Sequence, residues 1–110
     1  MKDDRTYLGH IAEAIEKIRK YLEGIAYHEF VVDPMRVDAV TRELEIIGEA
    51  SRHLSSDFKN AHQEIPFEDI IGMRNLLIHG YYEVDLAVVW KTCGEDLPEL
   101  RKVIIAVLKE

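Results

Sequence analysis

Apolar residues recur along much of this chain in steps of three and four, the spacing of helices with one buried face. Leu8, Ile11, Ile15, Ile18, Leu22 and Ile25 form the first stripe, with Glu13, Glu16, Lys17, Arg19 and Lys20 outside it, and predict a helix over residues 3–25. Residues 24–34 read as a connection with aromatic content, and Asp33-Pro34 as the start signal of a second helix. That helix, about residues 35–54, has the stripe Val37, Val40, Leu44, Ile47 and Leu54, interrupted at Ser51. Gly48 inside it costs roughly 1 kcal/mol against Ala, and the simplest reason for it is another backbone passing close by. Residues 55–66 are a polar connection with a helical turn expected around 58–62. Late in the chain, Asp85 is placed to cap a helix beginning at Leu86. The series Leu86, Val89, Cys93, Leu97, Leu100, Ile104, Val107 then keeps its rhythm through Gly94. Asp96, Pro98 and Glu99 repeat a start signal there, so this segment is one kinked helix or two. No strand-like alternation, internal repeat or low-complexity segment competes. The fold expected is all-α, an antiparallel bundle of four main helices in a single domain over residues 1–110.

Residues 67–80 break the one-faced pattern. At helical spacing, Phe67, Ile70, Ile71, Met73, Leu76, Leu77 and Ile78 leave only a narrow polar strip of Glu68, Gly72, Asn75 and His79. A helix apolar on nearly all sides is covered on nearly all sides, by its own bundle or by a second copy of the chain. Arg74 falls inside the apolar arc, where a permanent charge is costly unless a carboxylate, a phosphate or water meets it. Glu45 and Glu49, four residues apart on the second helix, are its candidate partners. Asn75 and His79 share a face, Arg74 is long enough to reach toward them, Gly80 offers a stop, and Tyr81 and Tyr82 follow. An arginine, an amide, an imidazole and a phenol at one helix end suit a phosphate and a proton transfer. The same residues also read as a paired structural arginine, a capping histidine and two packing tyrosines.

Arg74-Asn75-x-x-x-His79-x-Tyr81, an R-x4-H-x-Y pattern, resembles the signature of the HepT-like proteins of the HEPN superfamily, small all-helical proteins encoded beside minimal nucleotidyltransferases. The run Arg42-Glu43-Leu44-Glu45-Ile46-Ile47-Gly48-Glu49-Ala50 is similar to that family's second-helix segment. Ile65-Pro66-Phe67 before the motif helix and Asp96-Leu97-Pro98 late in the chain fit the same order. The resemblance implies the toxin of a toxin–antitoxin module: a metal-independent endoribonuclease, with Arg74 and His79 catalytic, Asn75 supporting, and the active site shared across a symmetric homodimer. It further implies that a partner nucleotidyltransferase silences the enzyme by transferring AMP to Tyr81. RNA cleavage through its own 2′-hydroxyl needs a base and an acid; two chains supply two copies of His79, and paired Arg74 side chains can stabilise the phosphorane.

At 110 residues the chain is long enough for a single core. The lone Cys93 excludes an internal disulfide and suits a reducing compartment. No basic-plus-apolar leader or membrane-length apolar run appears, so a cytoplasmic protein is expected. The formal net charge of −7 opposes indiscriminate RNA binding, because such binding depends on Lys and Arg neutralising phosphates. An RNA site must then be a local basic cleft, for which Arg36, Arg42, Arg52 and Arg74 are candidates. Glu49 with His53 and His62 lacks a further metal ligand of convincing spacing, and His10 and His28 read as solvated, so no metal or cofactor is expected. Two alternatives stand beside the ribonuclease: a non-catalytic dimeric scaffold that docks a nucleotidyltransferase, and a nucleotide-binding subunit.

Overall fold

The computed structural model describes residues 3–110, and among these the regular structure is helical throughout. Helix α1 spans Asp4–Leu22, capped by Asp3, whose carboxylate accepts from the Thr6 N–H at 3.2 Å. It ends three residues short of the predicted limit because Gly24 turns the chain at φ +71°, a conformation that favours glycine. A short helix, α2 (Tyr27–Phe30), stands where a plain connection was expected; the Glu29 carboxylate accepts from the Ala26 N–H at 2.9 Å. Phe30 is fully buried and its ring lies 5.4 Å from that of Trp90, so this segment plugs the core.

Helix α3 (Pro34–Arg52) begins at the predicted signal, Asp33 accepting from the Arg36 N–H at 3.1 Å with Pro34 in the first turn. α1 and α3 are antiparallel. Ser55, just past α3, donates from its backbone N–H and its hydroxyl to Asp4 at the start of α1, at 2.8 and 2.6 Å. At the other end Arg36 donates to the Tyr21 carbonyl. Helix α4 (Ser56–Ala61) starts two residues before the expected turn, because Ser55 caps it by accepting from the Phe58 N–H.

Helix α5 (Phe67–His79) is the motif helix. Its Phe67, Ile70, Met73 and Leu77 are buried against the chain's own core, whereas Leu76 and Ile78 are 37% and 38% exposed. One chain therefore covers only one face of it. Ser51, the interruption in the α3 stripe, is completely buried, and with Gly48 one turn away it gives α3 a low surface where α5 crosses.

A 3₁₀ turn, Tyr81–Glu83, leads to α6 (Leu86–Lys91), capped as predicted by Asp85 accepting from the Ala87 N–H at 2.9 Å. A π-helical turn over Thr92–Asp96 joins α6 to α7 (Leu97–Leu108). The last segment is thus continuous, the one-helix alternative, and Asp96 has helical backbone angles with no capping bond. The wider turn accommodates Pro98, which lacks an N–H and whose ring crowds the carbonyl four residues back. It also keeps Val89, Leu97, Leu100 and Ile104 in one buried row. α7 lies antiparallel to α1: Arg5 donates to the Val107 and Leu108 carbonyls at 3.2 and 3.1 Å, and Arg101 to Glu16 at 2.7 Å. No helix among the described residues is long and apolar enough to cross a membrane.

Candidate functional site

The site begins with Gly48. A Cβ at that position would lie 2.2 Å from the Arg74 Cβ and 3.1 Å from the Ile70 carbonyl oxygen, so α5 rests directly on α3 there. The close approach anticipated from Gly48 is found, and it fixes where the Arg74 side chain starts. Arg74 is 18% exposed; its Nη1 donates to Asn75 Oδ1 at 2.9 Å, and its Nη2 lies 3.8 Å from Glu49 Oε1. Of its two candidate partners, Glu49 is therefore the one beside it, while Glu45 pairs with Arg42 at 3.7 Å.

Glu49 faces several basic side chains at once. Arg52 Nε stands 3.5 Å from Oε1 and His53 Nε2 3.9 Å from Oε2. All are Coulombic separations longer than good hydrogen bonds. Glu49 Oε1 and Arg74 Nε are also out of solvent contact and without a hydrogen-bond partner among the described residues. The arginine is held in place but not saturated.

His79 closes α5 and is exposed, as is Asn75 one turn before it. Gly80 ends the helix at φ −122°, outside the left-handed region, so its role is steric: a Cβ there would meet Leu76 Cδ1 at 2.8 Å. Tyr81 is 73% exposed, with its ring edge-on to Tyr82 at 5.6 Å. Within one chain, then, the arginine, amide, imidazole and phenol do not share one pocket. Arg74 turns toward α3, His79 and Tyr81 stand outside, and Asn75 contacts Arg74 from the His79 face. The expectation of one gathered site is corrected by geometry: about 140° separates positions five apart on a helix, more than the arginine's reach closes once Glu49 draws it to α3.

Arg74 opens onto a groove of about 510 Å³ between α1, α3 and α5. Tyr7 and His10 line it from α1, Arg42, Glu45, Glu49 and His53 from α3, and Arg74 and Ile78 from α5. Arg42 and Arg74 thus converge, and Arg52 reaches the rim through Glu49. Arg36 does not, because Asp33 and the Tyr21 carbonyl hold it at the opposite end of α3. His10 and His53 are exposed, as expected above, and both also line the groove. The four-residue step from Glu49 to His53, continuing the step from Glu45, was the signal for the second. Nothing in the sequence brought Tyr7 and His10 to them. Among the described residues no group of three His, Cys, Asp or Glu side chains is arranged to hold a metal ion.

The family model described as Ribonuclease HepT-like matches residues 11–107. A protein named as a probable ribonuclease HepT from Thermococcus cleftensis is 46% identical over 91% of this chain and 91% of its own length. A protein of Caldanaerobacter subterraneus subsp. tengcongensis, named as a candidate RNase, is 39% identical over 100% of this chain and 98% of its own. Another so named, from Methanocaldococcus jannaschii, is 38% identical over 92% and 93%. No solved structure matches the chain.

Proposed function

The chain belongs to the HepT-like ribonuclease family, and from that premise we propose that it is an endoribonuclease whose complete active site forms between two copies of the chain. In this reading the long helices α1, α3, α5 and α7 make one antiparallel four-helix bundle, and two bundles meet at the uncovered face of α5. The observation that carries it is the seat of Arg74: Gly48 fixes its backbone against α3, and Glu49 holds the guanidinium at 3.8 Å without saturating it. A phosphate can displace so loose a partner, because a charge-assisted hydrogen bond is stronger than a pairing at that distance.

The chemistry follows from RNA itself. One imidazole takes the proton of the 2′-hydroxyl, which attacks the adjacent phosphorus. The 5′-oxygen leaves with a proton from a second imidazole, giving a 2′,3′-cyclic phosphate and a free 5′-hydroxyl. A single chain offers one His79, so the second comes from its mate; Arg74 neutralises charge on the pentacoordinate phosphate. Asn75, bonded to Arg74, keeps the guanidinium aligned with the His79 face.

Tyr81 is the acceptor of AMP from a partner nucleotidyltransferase in this reading, and its exposure leaves the hydroxyl within reach of another protein. An adduct two residues from His79 would repel an RNA phosphate and close the site. The resulting unit is a toxin silenced by its antitoxin. The scaffold alternative draws on one observation, that Arg74 has an internal carboxylate partner. Incubating the purified chain with RNA in chelator, beside Arg74→Ala and His79→Ala, separates the two. Cleavage ending in cyclic phosphate and lost in both variants supports the enzyme; no cleavage by the unmodified native chain overturns it. Intact mass after exposure to the nucleotidyltransferase and ATP, with Tyr81→Phe as control, tests the modification.

A further inference from the structure

The groove carries a second set of groups that the R-x4-H motif does not include. The Tyr7 and His53 rings are stacked, 5.1 Å between centroids and 14° between planes. His10 stands edge-on to Tyr7 at 6.1 Å. His53 is joined to Arg74 through Glu49, which faces the imidazole with one carboxylate oxygen and the guanidinium with the other. The side chain of His53 is 46% exposed, so a ligand can reach it.

The charges decide what that ligand is. Facing the imidazoles are Tyr7 from α1, Arg42, Glu45, Glu49 and, at the rim, Arg52 from α3, and Arg74 from α5. Within the groove lining the two arginines and two glutamates cancel. Arg52 at the rim tips the balance to positive, and His10 and His53 add to it in their protonated forms. With a net charge of −7, the chain as a whole repels a polyanion, and only a local positive site can hold one.

We propose that this groove is an RNA subsite, in which protonated His53 and His10 bind a phosphodiester adjacent to the one being cleaved and the Tyr7–His53 aromatic pair receives a base. The inference rests on the ribonuclease reading for its substrate but uses residues outside the motif. Stacking is sequence-tolerant, because every base presents a π-face. His53 and His10 make and break no bond here; they act on affinity.

The test is fluorescence anisotropy of a short labelled RNA at pH 6 and pH 8, at fixed ionic strength, in the His79→Ala chain so that the probe survives. Affinity is expected to be about tenfold higher at pH 6. Adding His53→Gln is expected to remove most of that difference, and His10→Gln part of it. His53→Lys, which keeps the charge at both pH values, is expected to bind tightly at both; retained helical circular dichroism guards against misfolding. In the chain with His79 intact, His53→Gln is expected to raise KM for RNA several-fold with kcat nearly unchanged. An affinity at pH 6 that His53→Gln leaves intact, or no RNA binding at either pH, overturns the subsite. Cleavage together with unaltered His53→Gln binding sinks the subsite alone. Binding lost in His53→Gln, in a chain that never cleaves RNA, sinks the ribonuclease and leaves the subsite.

Discussion

Gly48 and Arg74 are so close that the Cβ missing from one would overlap the Cβ of the other, at 2.2 Å. The motif arginine is thus positioned by an absent side chain on a different helix. Gly48→Ala tests two opposed effects. The helix interior gains about 1 kcal/mol from Ala, but neither Cβ can rotate away, and such overpacking costs about 1–3 kcal/mol or more. The clash wins. The variant is expected to melt several degrees lower and to cleave RNA more than tenfold more slowly, as Arg74 is pushed off α3. An equal or higher melting temperature with normal cleavage would mean that α5 does not rest on α3 as described.

Glu49 separates stability from activity. Its three basic neighbours stand at 3.5–3.9 Å and its side chain is partly exposed, so each pairing contributes at most about 1 kcal/mol. Glu49→Gln should therefore shift the melting temperature by only a few degrees. It removes the shared anchor of Arg74 and His53, and a loosened guanidinium is expected to cost about 10- to 100-fold in cleavage. Unchanged turnover would show that Arg74 needs no partner on α3.

Acid should act on this fold with two signs. Hydrogen bonds from Arg101 and Arg19 hold the Glu16 carboxyl below the ordinary 4.5. Its folded pKa is depressed, so its contribution is present above 4.5 and lost as pH falls through the folded value. Asp96 is the reverse: desolvation first, then the nearby Asp69 and Glu95, push it above the ordinary 3.8. Ionised at neutral pH, it works against folding, and protonation through its raised pKa relieves that. Asp96→Asn is expected to raise the melting temperature at pH 7, with the gain fading as pH falls through the raised pKa and gone below the ordinary 3.8. Glu16→Gln is expected to lower it slightly at pH 7, with the loss fading as pH falls below 4.5 toward the depressed folded pKa. Thermal melts from pH 3 to 7 read both; a destabilising Asp96→Asn at pH 7 would contradict the environment described.

Burial pushes the Cys93 thiol up to about 12. At pH 8 only about one thiol in ten thousand is ionised, and the thiolate is the nucleophile. Native protein should resist alkylation by iodoacetamide for hours and react at once in guanidinium chloride. Rapid native labelling would show the thiol to be open to solvent instead of packed inward from the π-helical turn.

The long helices were legible because their stripes are regular, and the starts at Asp33 and Asp85 because their caps are local. The relation of Gly48 to another backbone was legible too, since glycine inside a good helix asks for a reason. Helix α2 was not. Four residues carry no periodicity, and only tertiary burial of Phe30 makes them a helix. The π-helical turn was hidden for a similar reason, because the apolar rhythm ran on through Gly94 while Asp96, Pro98 and Glu99 signalled a break. In the candidate site, Arg74 stood out as a charge among apolar neighbours, and Glu49 was named beside Glu45. Tyr7, His10 and His53 were missed because they come together from helices about forty residues apart in sequence, by the antiparallel register of α1 on α3, a relation that no local spacing encodes.

The uncovered half of α5 leads to the last prediction. Leu76 and Ile78 remain more than a third exposed, and Ile78 also lines the groove of Arg74, while His79 follows directly. A second copy seated on this face would bury both residues twice, because a two-fold interface repeats every contact. Each large aliphatic side chain contributes about 1.5–3 kcal/mol when fully covered. Only the exposed 37% of Leu76 remains to be covered, so lost burial accounts for about 1–2 kcal/mol over the two copies, and two buried carboxylates add to it. Leu76→Glu is therefore expected to weaken self-association by about a hundredfold, since every 1.4 kcal/mol is a factor of ten. Its exposed position predicts that the monomer keeps its helical content. Sedimentation velocity of the native and variant chains, with RNA cleavage measured at the same concentrations, gives the answer. If the dimer and the cleavage disappear together while the circular dichroism stays, the second imidazole comes from the other copy. A native chain that is monomeric and still cleaves RNA would remove the composite site.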